Sequence, residues 1–120
     1  MKPIAYLEDN DLGPNGDIVN PMIPSNIPVI VMIQASWCGH CTNSKPAFQE
    51  FANKHKGKVF CATIQADGER ESEKLLMNRI SDIKPDFLGF PDYMVYNKHK
   101  RVSKEINGRD VKSLEQFANL

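Results

Sequence analysis

The sequence predicts an α/β fold, and three observations carry that expectation. Pro28-Val29-Ile30-Val31-Met32-Ile33 is a short, β-branched and almost uninterrupted apolar run, the pattern of a strand buried on both faces. The stretch after it, through Phe48, Phe51 and Ala52, spaces its apolar residues by three and four, which is a helical pattern. Strand-like and helix-like segments then go on alternating, so that the whole chain reads β, β, α, β, α, β, β, α. The 120 residues have the size of one domain, 1–120, with a short edge strand and an irregular loop over 1–27 and the core over 28–120.

Taken in order, Ile4-Ala5-Tyr6-Leu7 reads as a short strand at a sheet edge. Glu8 to Asn26 is dense in Asn, Asp, Gly and Pro, and that composition marks a loop. The first long helix is expected from about Cys38 to Lys56, bent at Pro46, where the ring removes a backbone hydrogen bond and crowds the previous turn. Lys58 to Ala66 reads as a second central strand, closed by the turn Asp67-Gly68. Glu69 to Ile80 is expected to be helical, with Leu75, Leu76, Met77 and Ile80 on its buried side. Ile83 to Phe90 is irregular around Pro85. Tyr93 to Tyr96 and Arg101 to Asn107 form a hairpin across Asn97-Lys98-His99-Lys100. Asp110 caps a final helix in which Val111, Leu114 and Phe117 recur at three-residue spacing.

Composition excludes several function classes. Lys plus Arg and Asp plus Glu are each 15, so the chain has no electrostatic footprint for nucleic acid or an anionic membrane. No apolar run reaches the roughly 18 residues that span a bilayer. The N-terminus lacks the apolar region of a signal peptide and the C-terminus is not a retention tetrapeptide, so the expected location is the cytoplasm. Three cysteines are too few for a disulfide scaffold.

Two of them form a C-x-x-C pair in Trp37-Cys38-Gly39-His40-Cys41, where the buried strand hands over to the helix. The first turn of a helix has unpaired N–H groups and the positive end of the macrodipole, and both favour a thiolate over a thiol. Cys38 is therefore expected to have a depressed pKa and to act as a nucleophile, and Cys41, one turn on, can close a disulfide with it. The rival reading is half of a structural zinc site, but Cys61, His40, His55 and His99 supply no second ligand pair at metal-binding spacing. No metal or organic cofactor is expected.

At these residues the chain resembles the thioredoxin superfamily, whose active-site pentapeptide looks like Trp37 to Cys41, with the Gly39-His40 dipeptide of protein disulfide isomerase domains. Pro46 matches the proline in the family's active-site helix. Gly89-Phe90-Pro91-Asp92-Tyr93 resembles its cis-proline segment, and Gly108 its glycine between the last strand and last helix. The resemblance implies a thioredoxin fold: a central mixed β-sheet flanked by helices on both faces, mostly antiparallel with one parallel pair. It implies a thiol–disulfide oxidoreductase that exchanges disulfides with protein thiols, mildly oxidising or isomerase-like, working as a monomer and recycled by a separate reductase or oxidase. Cys38, Cys41 and His40 would be the catalytic residues. Trp37, Gly39, Phe90 and Pro91 would meet an extended stretch of substrate, Trp37 as a flat apolar surface and Phe90 through its backbone. His40 beside Cys38 would stabilise the reduced form and make the disulfide a better oxidant; a solvated His40 without redox effect is the alternative.

Two departures matter. The family usually carries a buried carboxylate five residues before the motif tryptophan, paired with a lysine, and relays the proton of the second cysteine through it. Those positions are Met32 and Thr63 here, so Cys41 would lose its proton less readily. The residue after Cys41 is Thr42, not the usual lysine. A thioredoxin-fold adaptor with weak exchange is the second functional reading. Cys61, mid-strand, reads as a small buried hydrophobe, with a regulatory thiol as the alternative. Stand-alone thioredoxin-like proteins of large cytoplasmic DNA viruses are similar, and the Asn, Lys and Ile usage suits an AT-rich genome.

Overall fold

The structure is a computed structural model and describes residues 3–120. Five strands form one sheet: β1 (Ala5–Tyr6), β2 (Val29–Gln34), β3 (Phe60–Gln65), β4 (Asp92–Asn97) and β5 (Lys100–Val102), in the order β1-β3-β2-β4-β5. Val29 to Gln34 is buried at every position, as the β-branched run requires of a strand covered on both faces. Four helices accompany it: α1 (Gly39–Lys54), α2 (Glu71–Asn78), α3 (Ile80–Ile83) and α4 (Val111–Phe117).

The period of the strands divides the core into two layers. Ile30 and Met32 of β2, with Cys61, Tyr93 and Val95, pack under α1 and α4 through Phe48, Phe51, Leu114 and Phe117. Val29, Val31 and Ile33, with Ala62, Ile64 and Met94, face the other way against Leu76, Ile80 and Ile83. That second face is also covered by Leu12, Ile18 and Ile23, so the Asn- and Gly-rich segment after β1 is a strap laid over the sheet. Its ties are specific. The Arg79 guanidinium donates to the carbonyls of Asp9, Leu12 and Gly13, and the Tyr96 hydroxyl donates to the carbonyl of Gly16 at 2.7 Å. Gly16 has a φ of 85°, and a Cβ there would stand 2.9 Å from Ile83, so close packing and conformation both call for glycine.

Four expectations need correction. The sheet is not mostly antiparallel with one parallel pair: β1 and β2 both run parallel to β3, while β2–β4 and β4–β5 are antiparallel. The strap returns the chain to the end of the sheet where β1 began, and that fixes β2 in the same direction. The helix expected over 69–80 is divided at Arg79, whose backbone leaves the helical region where its side chain reaches the strap. Leu75 is 46% exposed, because the buried positions of this short helix are Glu73 and Leu76, three residues apart. The last strand stops at Val102 rather than Asn107; Lys104 instead bonds the carbonyls of Gln116 and Phe117 at the end of α4.

Candidate active site

The site lies where β2 ends and α1 begins. Beyond Gln34 the chain is held by Asp67, at the end of β3, whose carboxylate accepts from the Ser36 amide at 3.0 Å and from the Ser36 hydroxyl. The Ser36 hydroxyl, with the Ser36 and Asp67 amides and the Gln65 side chain, outweighs burial and holds Asp67 below the usual carboxylate range. The crossover is thereby fixed on two neighbouring strands before the motif starts.

Cys38 is the N-cap of α1. Its backbone is extended (φ −87°, ψ 116°), and its sulfur accepts the Cys41 N–H at 3.2 Å, the place usually filled by a Ser or Asp oxygen. Its carbonyl takes the Thr42 amide at 3.0 Å and the Thr42 hydroxyl at 3.2 Å, so the residue that replaces the expected lysine closes the first turn. Cys38 is 6% exposed and Cys41 is fully buried; both, like Cys61, are free thiols. Burial alone would raise the Cys38 pKa, but the Cys41 thiol, the Cys41 and His40 amides and the Arg109 charge together bring it down. Cys41 goes the other way, to about 11, first through burial and then because it donates to Cys38. The pair thus separates into a sulfur that ionises readily and a sulfur that keeps its proton, the division that thiol–disulfide exchange requires.

Around the sulfurs the surface is apolar. Trp37 is 69% exposed and meets Phe90 edge to face at 5.4 Å between ring centroids; Phe90 in turn meets Phe87 at 5.2 Å. Leu88 beside them is 98% exposed. The Phe90–Pro91 peptide is cis, and the Phe90 carbonyl accepts from the Cys38 thiol at 3.8 Å. Gly39 and His40 are exposed on the first turn of α1, and a Cβ on Gly39 would meet nothing within 4 Å. What His40 turns toward Cys38 is its backbone N–H.

Met32 and Thr63 stand opposite each other in the β2–β3 register, both wholly buried. The Thr63 hydroxyl donates to the Met32 carbonyl at 2.7 Å and accepts from the Gln34 amide at 3.3 Å, so a neutral polar ladder occupies the place of a charged pair. Cys61 pairs with Ile30, well back along the sheet from Cys38, and burial pushes its pKa to about 12. Among the described residues no cluster of three or more His, Cys, Asp or Glu side chains is placed to hold a metal ion.

Sequence reasoning passed over Arg109 and Lys84. Arg109 follows the glycine between sheet and last helix, and that adjacency was its only signal. Lys84 is buried against Asp92 (2.9 Å) and Glu105 (3.0 Å), tying the loop that leads to Phe90 onto β4. A lysine before a proline has no periodicity that would announce such a role.

A buried central strand that delivers a C-x-x-C pair to the N-terminus of the next helix, opposite a cis-proline, defines a protein built around a reactive dithiol. The thioredoxin family model matches residues 17–119. The putative thioredoxin-like protein 453L of Invertebrate iridescent virus 6 is 44% identical over 115 residues, covering 87% of this chain and 83% of that protein. Protein disulfide-isomerase like 2-2 of Arabidopsis thaliana is 31% identical over 99 residues, which are 81% of this chain but only 20% of that protein. Among solved structures, Fasciola hepatica thioredoxin superposes with a TM-score of 0.60 at 19% identity, covering 79% of this chain and 81% of that one. The Trx4 domain of ERdj5 gives 0.55 at 24% identity, covering 76% and 75%. The two structural likenesses speak to the fold. The chain belongs to the thioredoxin family.

Proposed function

We propose that the chain is a thiol–disulfide oxidoreductase acting on protein thiols and disulfides, mildly oxidising or isomerase-like, with Cys38 and Cys41 as its redox pair. The observation that carries this reading is the separation of the two sulfurs: Cys38 lowered at a helix N-cap, Cys41 buried and raised to about 11. In the reducing direction the Cys38 thiolate attacks a substrate disulfide, forms a mixed disulfide and expels one substrate thiol. Cys41 then attacks Cys38, forms the Cys38–Cys41 disulfide and releases the second. In the oxidising direction the same steps run backward, two substrate thiols leaving as a disulfide. The exposed Trp37 and Gly39, with the half-buried Phe90 and the buried Pro91 behind them, hold the substrate chain, and His40 tunes the couple. Every donor that stabilises the Cys38 thiolate favours the dithiol and makes the disulfide the stronger oxidant; about 30 mV corresponds to roughly 1.4 kcal/mol.

The relatives named as disulfide isomerases support the mildly oxidising character, and the viral relative supports a virus-encoded setting; the cytoplasm is the compartment this reading assigns. The same reading has one domain working as a monomer and recycled by a separate reductase or oxidase. Equilibration with glutathione tests it: a potential near roughly −180 mV is expected, and one near about −270 mV would make the protein a reductant. Cys38→Ser is expected to abolish exchange. The neutral Met32–Thr63 ladder favours a second reading, a binding adaptor with slow exchange. It predicts substrate capture at Cys38 with turnover unchanged by loss of Cys41.

A further inference from the structure

We propose that Lys84 is a positioning residue for polypeptide substrates: its buried ammonium joins the two ends of the loop that carries Phe90 and Pro91, and so holds the docking edge beside Cys38 in one arrangement. The inference rests on the exchange chemistry just described and adds to it the group that separates polypeptide from small disulfides. Lys84 caps the end of α3, where its amide donates to the Ile80 carbonyl at 2.8 Å. Asp92 opens β4, directly after Pro91. Lys84 Nζ stands 2.9 Å from the Asp92 carboxylate, 3.0 Å from that of Glu105 and 3.5 Å from that of Asp86. Beyond the ring contacts of Phe87 and Phe90, little else fixes the chain between those ends. Among the described residues, 85–91 make a single backbone–backbone hydrogen bond, from the Phe87 amide to the Lys84 carbonyl at 2.9 Å.

Stability does not account for this lysine. Its side chain is 1% exposed, and an ammonium taken out of water loses hydration that ion pairing offsets only in part. A methionine would fill the space without that cost. What an apolar side chain lacks is direction. An ammonium has three donors, and here they meet carboxylates on the loop, on β4 and beyond β5, which fixes the loop against two other parts of the chain. Burial alone would lower the Lys84 pKa, but the hydrogen bonds to Asp92 and Glu105 outweigh it and keep the group charged. The clamp reaches the site through Phe90, whose ring meets Trp37 at 5.4 Å and whose carbonyl accepts from the Cys38 thiol at 3.8 Å. A polypeptide docking along a released loop must first select the ordered arrangement, so its apparent affinity falls by the fraction of molecules that hold it. A small disulfide that reaches Cys38 without Phe90 bears no such loss. Against burial, the Cys38 pKa is brought down by Cys41, His40 and Arg109, all outside the loop.

The test compares two disulfides in single-turnover reduction by the dithiol protein: hydroxyethyl disulfide, which has no peptide backbone, and a peptide closed by an intramolecular disulfide. For Lys84→Met, the peptide concentration giving half the limiting rate is expected to rise about tenfold, as when the docking arrangement falls to about a tenth of the molecules. The limiting rate, and the rate with hydroxyethyl disulfide, are expected to stay at wild type. Lys84→Arg, which keeps the charge and the donors, is expected to restore the peptide value. An unchanged peptide value, or an equal fall in rate with both disulfides, overturns the proposal. Should Lys84→Met fail to fold because Asp92 is left unpaired, Lys84→Met with Asp92→Asn removes both charges and is read in the same way. A second measurement does not depend on exchange. Trp37 is the sole tryptophan, so its near-ultraviolet circular dichroism reports its contact with Phe90. A weakened band in Lys84→Met that returns in Lys84→Arg supports the proposal, and an unchanged band overturns it. A wild-type protein that exchanges with neither disulfide would sink the exchange reading and leave the Trp37 band to decide the role of Lys84.

Discussion

Placing a cysteine at a helix N-cap gives one atom two duties, and the ionisation of Cys38 follows from both. A carboxylate or hydroxyl cap satisfies an orphan amide; a thiolate cap does so and is held as a thiolate in return. Arg109 adds a charge from the far side of the site, and its contribution is separable. Arg109→Gln removes attraction for the anion, so the Cys38 pKa is expected to rise; the pH profile of iodoacetamide alkylation would move to higher pH, and an unmoved profile would show that the amides alone set it. Cys41, buried and protonated, is expected to remain unalkylated at neutral pH in the same experiment. The two cysteines, Trp37, Phe90 and Pro91 were legible in the sequence because a motif is a local object. Arg109 was not: its effect on Cys38 exists only once the turn before α4 has brought it to the site.

Elements were legible where their burial pattern repeats at short range. The run from Val29 to Gln34 is apolar at nearly every position, and the buried side of α1 keeps helical spacing, so both could be read directly. The strap could not. Leu12, Ile18 and Ile23 follow neither a period of two nor one of 3.6, and their burial depends on where Arg79, Tyr96 and the β4–β5 hairpin hold the segment. Lys98 and His99 both have positive φ in that hairpin's tight turn, and the His99 carbonyl accepts the Ile18 amide at 2.9 Å. Arg79 is the strongest single tie, binding three strap carbonyls and the Asp9 carboxylate. Arg79→Ala is expected to cost about 1–3 kcal/mol, the scale of hydrogen bonds to a charged group. Proteolytic cutting between residues 9 and 19 should accelerate with it, whereas wild-type cutting rates would show that the apolar contacts suffice.

At the scale of the whole molecule, buried acids that stay neutral set the response to alkali. Burial raises Cys41 to about 11, and Cys61 and Tyr93 to about 12, against ordinary values of 9.0 for the thiols and 10.0 for the phenol. Between those limits the folded chain holds protons that the unfolded chain has released, so what these three groups contribute to stability is full below pH 9 and falls as pH rises through 9 to 12. Each such proton contributes a slope of roughly 1.4 kcal/mol per pH unit. Urea unfolding of the reduced protein at pH 8 and pH 10 is expected to show the loss; equal midpoints would mean that these groups are solvated. The N-cap sulfur of α1 carries this coupling further. Oxidation turns it from an anion that receives an amide into a neutral disulfide atom that receives it poorly, so the helix is best capped when the protein is reduced. Around a closed cycle of oxidation and unfolding, the folded chain's preference for the dithiol, measured against that of the unfolded chain, must equal the difference in unfolding free energy between its two redox forms. A calorimeter can therefore stand in for a redox electrode. A reduced form that outlasts the oxidised one on heating marks a chain that hands its disulfide away, and the reverse order marks one that takes disulfides apart.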